Sequence, residues 1–133
     1  MEHVLKVVKR EDLEKIVKSS EFVLVAFTGI TCPACQLYRP VLEELGKRVN
    51  PLIRVVEYIV DYDPDPALEL GILGTPTTVV YVRGEPREGF TGAVDLPDLV
   101  EFLADVAKRY SMPHIARYLD SVRRSVEPIL GLW

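Results

Sequence analysis

The sequence predicts an α/β fold: a central mixed sheet of about four to five strands flanked by helices, with one further helix toward the C-terminal end. Three observations carry this reading. The run Phe22 to Thr28 is almost wholly apolar and of strand length, as a central strand buried on both faces requires. Apolar residues then recur at helical spacing as far as Val49, and a second apolar strand, Ile53 to Val60, follows. Strand, helix and strand in that order imply a parallel pair with a right-handed crossover. Thr77 to Val82 and Arg87 to Phe90 flank Gly84 as a hairpin, whose antiparallel pairing makes the sheet mixed.

Taken in order, His3 to Val8 has strand composition, and the charged stretch after it carries Leu13, Ile16 and Val17 at helical spacing. Beyond Phe22 to Thr28, the residues Ala34, Leu37, Val41, Leu45 and Val49 mark a helix starting at the cysteines, which Pro40 is expected to kink. A helical turn at Ala67 to Leu70 leads to Gly71. Asp95 is a candidate helix cap with Pro97 in the first turn, and Leu96, Leu99, Val100, Leu103, Val106 and Tyr110 form that helix's apolar stripe. Pro113 restarts a segment in which Met112, Ile115, Leu119, Val122 and Val126 are spaced by threes and fours, and Pro128 is expected to end it. The reading is a domain over residues 1–110 and a helical extension over 111–133, packed on the domain or on a second subunit. Leu132 and Trp133 are apolar enough to be tucked against something.

Composition narrows the function. With 133 residues, 48% of them apolar, the chain can bury one core without disulfide staples or a structural metal. The net charge is −4 with both signs interspersed, so no basic stripe exists for nucleic acid or an anionic membrane. The longest wholly apolar run, Phe22 to Phe27, is far short of a membrane span, and Met1 to Arg10 mixes charge with Val and Leu where a secretory segment would be apolar; a soluble, cytoplasmic protein is expected. Asn50 is the only asparagine and Gln36 the only glutamine, while Pro, Arg and Glu abound, a balance associated with heat-adapted proteins. A zinc site needs about four ligands. Beyond the cysteines there are only His3 and His114, without ligand spacing and expected on the surface, so no metal or other cofactor is expected.

The two cysteines form one unit, Cys32-Pro33-Ala34-Cys35, between a strand and a helix. In a cytoplasmic protein that spacing points to redox chemistry before a framework disulfide. The attacking species in disulfide exchange is a thiolate, so the sulfur needs a lowered pKa and access to solvent. A helix N-terminus favours the thiolate through its free N–H groups, and Pro33 suits the first turn because its missing N–H costs nothing there. Cys35, one turn further in, is expected to be shielded. Cys32 is therefore the expected nucleophile and Cys35 the resolving thiol. The alternative is an inert disulfide, which would close too small a loop to stabilise much.

Phe22-Val-Leu-Val-Ala-Phe-Thr-Gly-Ile-Thr-Cys-Pro-Ala-Cys35, the helix with Pro40, Gly71-Ile-Leu-Gly-Thr-Pro-Thr77, Arg83-Gly-Glu85 and Gly92 together resemble the thioredoxin family over roughly residues 1–110. The resemblance implies a thioredoxin-like fold, protein disulfides as substrates, and thioredoxin reductase or another dithiol as electron donor. It also implies a cis Pro76 facing the cysteines, with the backbone of Thr75 pairing with the bound substrate. Thr31, Pro33, Ala34 and Gly92 complete the expected substrate-binding set. Where typical thioredoxins have Gly-Pro between the cysteines this chain has Pro33-Ala34, an order similar to the Cys-Pro-x-Cys of glutaredoxins and some archaeal disulfide oxidoreductases. Thr31 stands where the family usually has tryptophan, and Thr28 at another aromatic position. The family's buried acid falls at Ala26 and its lysine partner at Glu57.

That exchange motivates an expectation: Glu57 reaches into the space left by Ala26 and accepts the proton of Cys35. Its alternative is an exposed strand residue without a role. Tyr38, Tyr58, Tyr62 and Tyr81 are expected to pack in the core. The stripe within residues 112–130 either folds back on the domain or forms the seam of a homodimer. Two functional alternatives stand beside a protein disulfide reductase. One is a glutaredoxin-like or disulfide-forming enzyme, for which only Gly92 and Asp95 suggest a glutathione loop; the other is a non-catalytic interaction module with incidental cysteines.

Overall fold

Strand β2 (Phe22–Thr28) is central because all seven of its residues are buried, leaving neither face for water. In the computed structural model, which describes residues 3–126, it lies in a five-stranded sheet of order β1-β3-β2-β4-β5. The other strands are β1 (Leu5–Val7), β3 (Arg54–Ile59), β4 (Thr77–Val82) and β5 (Glu85–Thr91). β1, β3 and β2 run parallel, whereas β4 and β5 are antiparallel additions, so the sheet is mixed. The helices are α1 (Arg10–Ser19), α2 (Pro33–Val49), α3 (Asp65–Glu69), α4 (Leu96–Arg109) and α5 (Pro113–Val126).

Strand alternation sends successive β2 side chains to opposite layers. Leu24 and Ala26 join the core beneath α2, α4 and α5; Val23, Val25 and Phe27 join the core beneath α1 and α3. The register sets Ala26 between Glu57 of β3 and Thr78 of β4, so these three side chains share the α2 face. This row becomes important at the site.

Local chemistry explains the joints. Arg83 and Gly84 both have positive φ, 52° and 84°, as a tight two-residue hairpin of matching twist demands. Asp95 accepts a hydrogen bond from the Asp98 N–H at 3.0 Å and so caps α4. Helix α2 runs on through Pro40 to Val49. Gly46 lies where the chain entering β1 crosses α2; a Cβ there would meet the His3 carbonyl oxygen at 2.4 Å.

Helix α5 turns back on α4 after Ser111, whose φ is 59°. Met112, Ile115, Leu119 and Val122 are buried and belong to the same core as Leu99 and Leu103 of α4. These four of the five stripe positions are covered within the chain, and folding them inward removes their apolar surface from water without a partner. Two side chains fasten α5 to the C-terminal end of α2: the Tyr118 hydroxyl donates to the Arg48 carbonyl, and Arg48 Nη1 donates to Ser125 Oγ at 3.0 Å. The expected helix stop at Pro128 and the tucking of Leu132 and Trp133 lie outside the described residues.

Tyr38, Tyr58 and Tyr81 are core residues, but Tyr62 is 65% exposed, a correction to the packing role expected for it. It follows β3 in the loop toward α3, beyond the reach of either core. Among the described residues, no helix is long and apolar enough to cross a membrane.

Candidate active site

Cys32 sits at the N-cap of α2 in an extended conformation, and its Sγ accepts a hydrogen bond from the Cys35 N–H at 3.2 Å. The helix therefore directs an otherwise unmatched donor at the sulfur, and Pro33 opens the first turn without adding another. Cys32 and Cys35 are joined in a disulfide, with Cα atoms 5.2 Å apart. Cys35 is fully buried and Cys32 is 7% exposed. The first sulfur is less open than the sequence suggested, and the cause is Thr75. Its hydroxyl donates to Cys32 Sγ at 3.4 Å, and its carbonyl oxygen lies 3.5 Å from the same atom.

The Thr75–Pro76 peptide bond is cis, and Pro76 is buried. Two contacts hold this loop: the Thr77 hydroxyl donates to the Gly74 carbonyl at 2.7 Å, and the Gly92 N–H donates to the Pro76 carbonyl at 2.8 Å. Gly92 has φ of 98°, a backbone region that favours glycine. Thr31 and Pro33 are exposed beside the cysteines, and Ala34 is half-buried. Three exposed apolar residues flank the loops in sequence: Ile30 before Cys32, Leu37 after Cys35 and Leu73 before Thr75. Asp61 steadies the first of these by accepting the Ile30 N–H at 2.9 Å.

Glu57 is 1% exposed, which overturns the alternative of an exposed strand residue. It pairs in register with Ala26, whose methyl group leaves the room. Its Oε2 accepts from the Thr28 hydroxyl at 2.7 Å and from Arg39 Nε at 2.7 Å. Arg39 Nη2 reaches the Gly29 carbonyl at 3.4 Å. Arg39 follows Cys35 by one helical turn, on the same face of α2. In the same layer the Tyr38 hydroxyl and Thr78 Oγ1 share a hydrogen bond of 2.8 Å, and burial pushes the Tyr38 phenol up to about 12.

Sequence reasoning missed Arg39 and Thr28 as partners of Glu57, and it missed the Thr75 side chain on Cys32. One signal was available for Arg39: a cation four residues after Cys35, on a face otherwise committed to the sheet. Asp95, a candidate for a glutathione loop, is engaged as the α4 cap. His3 is half-buried and His114 exposed. Among the described residues, no group of three or more His, Cys, Asp or Glu side chains is arranged to hold a metal.

The family model for thioredoxin matches residues 4–105 of this chain, spanning the sheet, both cysteines, the cis-proline loop and most of α4. The chain belongs to the thioredoxin family. A probable thioredoxin-2 of Caenorhabditis elegans is 33% identical over 93 residues, covering 70% of this chain and 64% of the relative. A thioredoxin of Rickettsia bellii is 28% identical over 90 residues, covering 68% of this chain and 86% of the relative. A Mycobacterium leprae relative, 31% identical over 68% of this chain, is a bifunctional thioredoxin reductase/thioredoxin, of which the match covers 20%. Among solved structures, a mutant thioredoxin of Halobacterium salinarum has a TM-score of 0.70 at 27% identity, covering 77% of this chain and 88% of that one. The oxidised thioredoxin of Plasmodium falciparum has a TM-score of 0.70 at 25% identity, over 78% and 98%.

Thioredoxins are thiol-disulfide oxidoreductases, and the bonded Cys32–Cys35 pair gives this thioredoxin-family chain the reactive unit of that chemistry. Helix α5 lies beyond the matched residues.

Proposed function

We propose that the protein reduces disulfides of client proteins through Cys32 and Cys35. The Cys32 thiolate attacks one sulfur of the client disulfide; a mixed disulfide forms and the client's other sulfur leaves as a thiolate. Cys35 then gives up its proton, attacks Cys32 Sγ, and closes the intramolecular disulfide while the second client sulfur leaves. Two electrons pass from the pair to the client. A donor dithiol, with thioredoxin reductase the favoured source because thioredoxins as a family use it, returns the pair to the reduced state. The cytoplasm, where such reduction is sustained, is the proposed compartment.

The single observation that carries this reading is Cys32 at the N-cap of α2, with the Cys35 N–H and the Thr75 hydroxyl both donating to its sulfur. Both donors favour a thiolate over a thiol. Thr75 and Pro76 shape the substrate groove in this proposal, with Thr31, Pro33, Ala34 and Gly92 at its rim. Glu57 takes the Cys35 proton: it is buried, and its partner Arg39 shares a helix face with Cys35. Helix α5 belongs to the same folding unit in this reading, supported by the burial of Leu119 and Val122.

Replacing Cys35 by Ser tests the assignment. Incubated with a disulfide-bonded client such as insulin, Cys35→Ser is expected to accumulate a mixed disulfide through Cys32, seen by non-reducing electrophoresis and mass. The wild-type protein with dithiothreitol should precipitate insulin chains. Neither adduct nor turbidity would leave the non-catalytic module as the better reading.

A further inference from the structure

Strand β5 is the outer strand of the sheet, so one of its edges faces no partner strand. The Gly92 N–H bonds to the Pro76 carbonyl, and bonded pairs alternate along an antiparallel ladder, so Phe90 and Glu88 also direct their main-chain groups to β4. Gly89 and Thr91 turn theirs outward. Further down, the edge is blunted: Pro86 has no N–H, and the register shifts beside it between Val80 and Tyr81. The open stretch is therefore the end next to the cysteines.

Beside this edge runs a groove of about 550 Å³. Val79 lies in its floor, and Leu70, Ile72 and Leu73 form its wall. Leu73 is 93% exposed. Position 89 adds no side chain to the floor, because a Cβ there would meet the Thr78 carbonyl oxygen at 2.4 Å. The charged side chains of β5 are engaged on the other face: Glu88, opposite Val80, accepts from Arg109, and the Arg87 guanidinium lies 5.7 Å from the centre of the Tyr110 ring. What remains to the groove is apolar, apart from the Thr77 and Thr91 hydroxyls at one end.

We infer that this edge and groove take an extended, uncharged stretch of the client polypeptide: its main chain adds to β5 at Gly89 and Thr91 as a sixth strand, and one apolar side chain enters the groove. The inference rests on the proposed reduction of client disulfides and deepens it, because it names the kind of sequence beside the disulfide that the protein selects. Continuity decides the occupant. Gly74 and Thr91 line one end of the groove and adjoin Thr75 and Gly92 of the proposed substrate groove. A chain held there reaches Gly89 with about two further residues, which places the selected side chain roughly two to five residues from the reacting cysteine. A second copy fits less well, because two outward-facing residues make a seam far short of a dimer interface. For a client already held at Thr75 the added contact is intramolecular.

The test uses Cys35→Ser and peptides whose single cysteine is bonded to thionitrobenzoate. The Cys32 thiolate attacks the peptide sulfur, the Cys32–peptide disulfide forms, and thionitrobenzoate leaves as a coloured thiolate whose release gives the rate constant. A leucine moved through a serine-alanine peptide on either side of the cysteine should raise that constant about tenfold at one position on one side, the lower end of what an apolar pocket discriminates. N-methylation along the segment should lower the constant at alternate residues only, as strand addition requires. Leu70→Glu should abolish the leucine preference, with dithiobis(nitrobenzoate), too small to reach the groove, normalising for any change at Cys32. The peptide series alone decides the matter where Leu70→Glu does not fold. A constant that varies less than about twofold across the scan, or a leucine preference kept in Leu70→Glu, overturns the inference and leaves the reductase standing. A dimer in sedimentation that Leu70→Glu dissociates assigns the edge to a second copy and also overturns it. Absence of thionitrobenzoate release from every peptide and from dithiobis(nitrobenzoate) removes the proposed function itself, and the inference with it.

Discussion

Replacing Thr75 by Val removes one hydroxyl and little volume, and it should make Cys32 a weaker acid and the disulfide harder to reduce. The hydroxyl lies 3.4 Å from Cys32 Sγ. A hydrogen bond to a charged acceptor is worth about 1.5–3 kcal/mol when buried. Thr75 is half-buried, so water replaces part of what is lost, and about 1.4 kcal/mol is the reasonable figure. That energy corresponds to about one pH unit in the ionisation of Cys32 in the reduced protein. The sign for the potential follows from which state is affected: the bond stabilises the thiolate, which exists only in the reduced form. Removing it disfavours reduction, and the potential should fall by about 30 mV for a tenfold change in the equilibrium. Alkylation of the reduced protein by iodoacetamide across pH reads the first quantity, and equilibration against a glutathione buffer reads the second. Thr75→Ser, which keeps the hydroxyl, should behave as wild type. If Thr75→Val alkylates with an unchanged pH profile, the hydroxyl does not act on the sulfur and the argument from this contact fails.

Two further outcomes are expected. Leu119→Ala removes a fully buried side chain from the core shared by α4 and α5, and should cost about 2–5 kcal/mol in urea denaturation; a loss below about 0.5 kcal/mol would mean that α5 is not part of the folding unit. Burial pushes the phenols of Tyr38 and Tyr81 up to about 12. The unfolded chain releases these protons near pH 10. Their contribution to stability is therefore complete below about pH 10 and lost as pH rises toward 12. Denaturation midpoints measured across that window should fall, and should fall less in Tyr38→Phe.

What was legible in advance was local. The buried run of β2, the crossover to β3, the Arg83-Gly84 hairpin and the Asp95 cap each depend on residues close together in the chain, so periodicity and capping chemistry suffice to read them. The cysteines were legible for the same reason: Cys32, Pro33 and Cys35 lie within the first turn of one helix. Glu57 was suggested by its position, but the choice between a buried and an exposed side chain, and its bond to Arg39, were not settled there. Those depend on the register of β3 on β2 and on the rotation of α2 above them, and nothing local sets either. The Thr75 hydroxyl reaches Cys32 across 43 residues of chain, and the fold alone brings them together. Helix α5 is the plainest case. Its apolar stripe is encoded in the chain, yet a stripe states only that it must leave water; the packing of α4 decides that its cover is the chain's own core.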